Sequence, residues 1–273
     1  MKTFANCLAI LIFSSLSIHA GAVGVNLGTA GNFGALAGSA VTNSGNSVID
    51  GDVGVSPGAS VTGFYPPGIV AGTIYGAGYD TNTAIPIQAE NDLTAAYNFA
   101  ANEVCPDGNN LSGSDLGLLT LTPGVYCFSS SAQLTGTLTL DAVTDPNGVY
   151  VFQITSTLTT APNSAVIFEG IDSGANVFWQ VGSSATIDTN TAFVGSILAN
   201  TSISLNTGAS MDCGSALAES GAVTLLDNSV TSCVAQENAP EPGSATLFGV
   251  ALLPSLIIYW FATRRRLQVI SRR

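Results

Sequence analysis

The residues that could carry chemistry in this chain are carboxylates and small hydroxyls, because its basic side chains are confined to the two ends. The 273-residue sequence has 18 acidic residues and a formal net charge of −12. The basic residues are Lys2, Arg264, Arg265, Arg266, Arg272 and Arg273, and the one histidine is His19. Residues 21–263 therefore contain no Lys, Arg or His.

This distribution excludes several classes of function from the body of the chain. Nucleic-acid binding requires cationic side chains that displace counterions. A phosphate site would have no Lys or Arg to clamp the charge. Ser-His-Asp and Cys-His systems would lack their base, and histidine-ligated metals are excluded as well. We therefore expect no enzyme activity, no cofactor or metal, and no nucleic-acid partner.

Asp50-Gly51-Asp52 is the carboxylate cluster that most resembles a site. It could form half of a calcium site or contribute to a glycosidase carboxylate pair. Polysaccharide lyases with a solenoid fold generally use a basic residue to take or stabilise the proton, and the body contains no such residue. The interpretation we favour is a turn with solvated carboxylates, while a carbohydrate-active enzyme remains an alternative.

Hydroxyl side chains recur in register in the second half of the sequence, next to apolar residues. The apolar positions predict one inward column, formed by Leu158, Ile187, Leu205 and Leu225. The neighbouring positions predict an outward column of Thr157, Thr186, Ser204 and Thr224, and a second one of Thr160, Thr189 and Thr207, with Asn163 and Ser210 three residues beyond its ends. Thr159 and Thr191 belong to the same candidate surface.

Threonine presents both a methyl and a hydroxyl group, so stacked threonines form a flat, uncharged grid. Its spacing is about 4.8 Å between strands and about 6.7 Å between alternate residues of a strand. Such a grid could order water into a lattice that merges with ice, and we expect the Thr160 column to do so. The alternative is an ordinary solvent face, because β-branched residues suit strands. Asp188 and Leu226 interrupt the outward columns.

The elements that must position these residues are short strands in stacked coils. Equivalent segments start at residues 157, 186, 204 and 224, with offsets of 29, 18 and 20 residues. A period near 20 with about three strands per turn predicts a mostly β, three-sided parallel β-solenoid. The long offset predicts an extra loop near residues 169–174. A β-sandwich is the alternative.

One helix is predicted over residues 86–104. Its apolar stripe recurs at steps of three and four residues and comprises Ala89, Leu93, Ala96, Tyr97, Ala100 and Val104. Pro86 suits a first turn, and Pro106-Asp107-Gly108 ends the pattern. This helix must pack against an apolar face.

Four cysteines lie in the body, and an even count in an exported chain favours disulfides. Three connectivities are possible. We favour Cys105–Cys127 and Cys213–Cys233, since the second pair is one coil apart and would meet on adjacent strands. Free buried thiols are the alternative.

The two ends of the chain indicate export. Residues 1–22 have the basic, apolar and small-residue parts of a signal peptide. The body covers residues 23–233, followed by a linker over 234–244. Residues 245–273 contain an apolar run and a basic end, which predict a membrane helix. Together with Pro240-Glu241-Pro242, this tail resembles the PEP-CTERM sorting signal, which an exosortase cuts. An ordinary membrane anchor is the alternative.

The body is similar to the microbial ice-binding (DUF3494-type) protein family. The resemblance is carried by the segments 27–33, 36–39, 51–58, 121–126, 138–141 and 177–182. It implies an irregular solenoid with a long helix alongside. It also implies ice binding through one flat face with a Thr-Ala/Gly-X-Thr/Asn motif, matched by Thr160-Ala161-Pro162-Asn163 and nearly matched by Thr207-Gly208-Ala209-Ser210.

We therefore expect a monomer, exported to the cell surface or extracellular matrix, that binds ice and inhibits its growth or recrystallisation. A structural or adhesive matrix protein without ice activity is the alternative from another class. The expected ice-binding residues are Thr157, Thr159, Thr160, Asn163, Thr186, Thr189, Thr191, Ser204, Thr207, Ser210 and Thr224.

Overall fold

The computed structural model describes residues 22–170 and 176–231. In these ranges the chain forms three sheets of eight, seven and eight strands, which we name sheets A, B and C. Successive strands within each sheet pair in parallel. In sheet A, for example, Tyr150–Ile154 pairs with Val177–Val181, and in sheet C Thr137–Asp141 pairs with Ala165–Glu169. The predicted three-sided parallel β-solenoid is confirmed, and the sandwich alternative is wrong.

The strands follow one another along the stack in the same order on all three sides. Sheet A contains β7 (Ile74–Tyr75), β4 (Asp52–Val55), β1 (Phe33–Ala37), β21 (Ala216–Ala218), β18 (Ser196–Ala199), β15 (Val177–Val181), β12 (Tyr150–Ile154) and β9 (Gly124–Phe128). Sheet B contains β5 (Ser60–Thr62), β2 (Ala40–Ser44), β22 (Ala222–Leu226), β19 (Ile203–Leu205), β16 (Ala185–Ile187), β13 (Leu158–Thr160) and β10 (Ala132–Leu134). Sheet C contains β6 (Ile69–Val70), β3 (Val48–Ile49), β23 (Ser229–Val230), β20 (Ser210–Asp212), β17 (Ala192–Val194), β14 (Ala165–Glu169), β11 (Thr137–Asp141) and β8 (Thr120–Leu121).

The order of the coils in space differs from their order in the sequence. The N-terminal strands β1, β2 and β3 pair with β21, β22 and β23 near the end of the body. A helix, α1 (Ala84–Asn102), connects β7 at one end of the stack to the segment that leads into β8 at the other end. The chain then winds back until its last coil meets its first.

Aromatic side chains fill the inside of the coils on successive strands of sheet A. Phe152 stacks on Trp179 with their ring centroids 3.9 Å apart, and Tyr126 continues the stack at 5.5 Å from Phe152. Trp179 is completely buried, and its indole NH donates to the Val194 carbonyl. Trp179 is therefore part of the core.

Helix α1 covers the outer side of sheet A. It begins and ends two residues before the predicted limits, and its buried residues are Pro86, Ala89, Leu93, Ala96 and Ala100. These pack against Phe33, Leu36, Val151, Phe178, Leu198 and Leu217. The inclusion of Val104 in the apolar stripe was wrong, because the chain is extended from Glu103 and Val104 is 83% exposed.

Polar contacts fix both halves of this helix. The Gln153 side-chain amide donates to the carbonyls of Ala100 and Glu103, which have no partner within the helix. The Asp92 carboxylate accepts the Thr29 NH from the short 3₁₀ turn before β1. Sheet A is thus buried on both sides, and only sheets B and C present an outer face.

The predicted disulfide Cys105–Cys127 is confirmed, with 6.1 Å between the Cα atoms. It ties the segment after α1 to β9 at the end of sheet A. Cys213 is also disulfide-bonded. Its predicted partner, Cys233, lies outside the described residues.

Several expectations fall on residues that the structure does not describe. They concern residues 1–21 of the signal peptide, most of the extra loop near 169–174, the linker over 234–244 and the tail over 245–273. In the described ranges, no helix combines the length and apolar character needed to cross a bilayer.

Removing the Cys105–Cys127 bond is expected to destabilise the fold from the end of α1. Closing a loop of this size contributes about 3 kcal/mol on the chain-entropy view. The Cys105→Ser/Cys127→Ser double variant should therefore unfold at a lower temperature than the oxidised parent, as followed by circular dichroism. Equal melting temperatures would contradict a stabilising role for this bond.

Candidate functional site

A three-residue pattern recurs at all seven strands of sheet B, beginning at the first residue of the strand or one residue before it. A small residue is followed by an apolar residue that points inward, and then by a hydroxyl or amide residue that points outward. Ala40-Val41-Thr42, Ser60-Val61-Thr62 and Ala222-Val223-Thr224 show it most clearly. Because side chains alternate across a strand, the first and third positions lie on the same outer surface.

These positions form two parallel columns across sheet B, which together we name the B face. The first column contains Ser60, Ala40, Ala222, Ser202, Ser184, Thr157 and Ser131. The second column contains Thr62, Thr42, Thr224, Ser204, Thr186, Thr159 and Gln133. The B face includes five of the expected ice-binding residues: Thr157, Thr159, Thr186, Ser204 and Thr224.

The B face is long, regular and uncharged. Its seven strands extend over about 29 Å at the spacing of a parallel sheet. Adjacent columns lie about 6.7 Å apart. No Asp, Glu, Lys, Arg or His occupies either column in the described chain. The surface can therefore meet a neutral, regular partner without desolvating a charge.

The hydroxyls of the two columns differ in their partners. In the first column the Thr157 hydroxyl donates to Ser131 Oγ at 2.8 Å, and the Ser184 and Ser202 hydroxyls accept backbone NH groups of the next strand. In the second column, the hydroxyls of Thr and Ser have no hydrogen-bond partner within the described residues. The second column therefore offers its hydroxyls to water.

Thr160 does not lie on the outer surface, so its expected outward orientation was wrong. Its side chain is 1% exposed, and its hydroxyl accepts the Asp188 NH at 2.8 Å. Thr191 is fully buried beside it, with 3.1 Å between the two hydroxyl oxygens, and donates to the Ala161 carbonyl. Both threonines satisfy backbone groups where the chain turns from sheet B to sheet C.

The assumed register was also shifted by two residues. We aligned Leu158 with Ile187, whereas the structure pairs Leu158 with Ala185 and Thr159 with Thr186. An even shift keeps every side chain on its own side of the strand. The two-residue shift changes which residues lie at the turn. Thr160 follows the outward Thr159 on β13 and therefore points inward.

The remaining expected residues lie away from the B face. Asn163 forms the turn between sheets B and C in a left-handed conformation, φ 60°, and Thr189 and Thr207 lie at the same corner on later coils. Ser210 belongs to sheet C, where it pairs with Ala192 and Ser229. The motif Thr160-Ala161-Pro162-Asn163 is thus a corner and not a part of the flat surface.

Thr42 and Thr62 are the main residues that sequence reasoning missed. They extend the second column by two strands, because β2 pairs with β22 across 182 residues of sequence. The repeats on which the prediction was based lie only in the second half of the chain. The signal was nevertheless present, since Ala40-Val41-Thr42 repeats Ala222-Val223-Thr224.

One carboxylate, that of Asp188, lies at the border of the B face. Asp188 lies two residues beyond Thr186 and accepts hydrogen bonds from Asn206 Nδ2 at 2.8 Å and from the Thr189 NH at 2.7 Å. These two bonds lower the pKa of Asp188, so it stays charged in neutral water. Leu226 lies in the same border position on a later coil. The interruptions anticipated from the sequence therefore border the grid without breaking it.

The other two sides of the solenoid present different surfaces. Sheet A is covered by α1. The outer face of sheet C contains exposed aliphatic residues, namely Val48 at 47%, Ile69 at 55% and Ile167 at 45%, and it includes Asp212. Its hydroxyls do not form a continuous ladder, so the B face is the most regular surface of the body.

Asp50 and Asp52 lie where the chain passes from sheet C to sheet A. The Asp52 carboxylate accepts the Thr73 NH at 2.7 Å, which links two successive coils. Across residues 22–170 and 176–231, no three His, Cys, Asp or Glu side chains cluster closely enough to hold a metal ion. Asp52 thus has a structural role in this turn.

Comparison with known proteins places this geometry in a family. Residues 35–231 match the family described as ice-binding-like. An ice-binding protein of Nostoc sp. (strain HG1) is 52% identical over 272 residues, which cover 97% of this chain and 96% of the relative. The chain belongs to the ice-binding-like family. An ice-binding protein of Colwellia sp is 34% identical over 243 residues, covering 84% of this chain and 92% of that protein.

Solved structures of this family share the fold. The crystal structure of an ice-binding protein from an Antarctic biological consortium superposes with a TM-score of 0.71 at 46% identity, covering 77% of this chain and 91% of the other. That of an ice-binding protein from the ascomycete Antarctomyces psychrotrophicus gives a TM-score of 0.72 at 38% identity, covering 78% and 100%. The fold expected from the family resemblance is thereby confirmed.

Loss of the hydroxyl is expected to affect the stability of the protein differently at two adjacent threonines of β13. Thr160→Val leaves the buried Asp188 NH without its acceptor, which should cost about 1–3 kcal/mol of unfolding free energy. Thr159→Val changes an outward side chain and should stay within about 0.5 kcal/mol of the parent. Urea unfolding of both variants measures the difference. Similar losses in the two would contradict the opposite orientations of these side chains.

Proposed function

We infer that this protein binds ice, and we propose that it does so through the B face. The observation that carries the proposal is the second column, where hydroxyls without protein partners repeat on successive strands. The parallel sheet fixes their spacing, so the waters they bind are held in a regular array. The threonine methyl groups fill the space between these waters. An ice surface is a regular, neutral partner for such a grid.

The composition of the B face suits adsorption to ice better than chemical catalysis. Its two columns contain Ser, Thr, Ala and Gln, and none of these side chains is paired with a base. Catalysis would require an activated nucleophile or a titratable acid and base. We therefore propose a non-enzymatic role, inhibition of ice growth or recrystallisation, by a monomer.

The described chain ends away from the B face. The described chain ends at Thr231, directly after β23 of sheet C. The Thr231 hydroxyl donates to Asp212 Oδ1, also on sheet C. The described chain therefore ends on sheet C and not on sheet B.

We also propose that the protein is exported and is sorted through its C-terminal tail. The signal-like pattern of residues 1–22 supports export, and the Cys105–Cys127 bond is of the kind that persists in oxidising compartments. Pro240-Glu241-Pro242, the apolar run over 245–262 and the terminal arginines support a membrane-held precursor. An exosortase-type enzyme would then release or attach the body at the cell surface.

A bulky side chain in the centre of the B face is expected to abolish close contact with ice. Thr186 lies on the fifth of the seven strands, and Thr186→Tyr would raise a phenol ring above the plane. We expect at least about a tenfold higher protein concentration for the same recrystallisation inhibition, equivalent to about 1.4 kcal/mol of adsorption free energy. The measurement is ice-grain growth in a frozen sucrose solution.

The matched control for this variant is Thr139→Tyr on the outer face of sheet C, where Thr139 pairs with Thr120 and Ile167. It should retain the activity of the parent. Equal losses in both variants would remove the assignment to sheet B. An inactive parent protein would instead favour a structural or adhesive role.

The N-terminal coils are expected to contribute to the same surface. Thr42→Tyr should reduce recrystallisation inhibition in the same direction as Thr186→Tyr, because Thr42 continues the column directly beside Thr224. Circular dichroism would verify that both variants remain folded. Full activity of the Thr42 variant would restrict the ice-binding surface to the C-terminal coils.

A further inference from the structure

Two carboxyl groups interact between α1 and the corner where sheet A turns into sheet B. Glu90 projects from α1, and Glu219 directly follows β21. The Glu219 carboxylate accepts hydrogen bonds from Asn200 Nδ2 at 3.3 Å and from the Thr94 hydroxyl on the same helix. Glu90 Oε1 is buried and has no hydrogen-bond partner among the described residues.

No cation in the body balances this pair. Residues 21–263 contain no Lys, Arg or His. Of the strands packed against α1, β1, β15 and β18 have no titratable side chain, and β12 has only Tyr150, whose hydroxyl donates to the Asp141 carbonyl. The neighbouring groups on α1 are Tyr97, which bonds to Gln180, and Asp92, which bonds to Thr29 and Gln88.

Glu90 is therefore stabilised as a neutral acid. Burial, followed by the negative charge of Glu219, raises the pKa of Glu90 from 4.5 to about 8. Its neighbours Ala89 and Leu93 are fully buried against sheet A. Ionisation would place an uncompensated charge at the edge of this apolar contact, where desolvation is costly.

We propose that protonated Glu90 stabilises the packing of α1 on sheet A, and that the helix packs less stably when this carboxyl ionises in mildly alkaline solution. The folded protein holds the proton more tightly than the unfolded chain. Stability is therefore highest below the unfolded pKa, declines as the pH rises from about 4.5, and has lost this contribution above about 8.

The first test is the melting temperature of the purified chain between pH 5 and pH 9. The parent should melt at progressively lower temperature as the pH rises. Glu90→Gln, which mimics the neutral acid, should show a much flatter profile. Glu219→Gln should reduce the decline, because it removes a repulsive charge.

The matched control is Glu169→Gln on sheet C, an exposed position that should keep the profile of the parent. A Glu90→Gln profile equal to that of the parent would overturn the proposal.

The second test does not depend on any variant folding. Carbon-13 NMR of the parent with labelled carboxyl groups should show one glutamate that titrates near pH 8. Titration of all glutamates near 4.5 would overturn the proposal.

Hydrogen exchange locates the effect within the fold. After correction for intrinsic rates, amides of α1 should lose protection between pH 6 and pH 9 by a larger factor than amides of sheet C. An equal loss of protection in α1 and in sheet C would show that the proton stabilises the whole fold, which would contradict a specific effect on the packing of α1.

Discussion

The parallel backbone ladder is the constraint on which the rest of this structure depends. It stacks the coils at one fixed spacing and lines up side chains from segments that are distant in sequence. The N-terminal strands join the same ladder as the C-terminal ones, as in the pairing of Thr42 with Thr224. A surface of this regularity follows from backbone hydrogen bonding, because side chains on separate loops could not be held in so constant a register.

Polar side chains at the corners of the solenoid have a different role from those on its flat sides. At the turn between sheets B and C, inward hydroxyls such as those of Thr160 and Thr191 satisfy backbone groups that would otherwise be buried without partners. In the second column of the B face, the outward hydroxyls are left for water. The same residue type thus serves the fold at one position and the surface at the next.

The three sides also differ in what they can contact. Helix α1 occupies sheet A, and its docking introduces the buried acid Glu90. Sheet C presents exposed aliphatic residues and gives rise to the end of the described chain. Among residues 22–170 and 176–231, no element covers sheet B and no charged side chain lies in its two columns. This asymmetry supports the proposal that ice contact occurs at sheet B.

The sequence alone determined the solenoid, the helix and the absence of basic chemistry, because these follow from local periodicity and composition, and it favoured the Cys105–Cys127 bond among three possible connectivities. It also placed Thr157, Thr159, Thr186, Ser204 and Thr224 on a candidate surface. Only the tertiary structure decided that Thr160 points inward and that Thr42 and Thr62 complete the grid. The physical reason is that strand register, and the closure of the last coil onto the first, are set by hydrogen bonds between segments far apart in the chain, which no local pattern encodes.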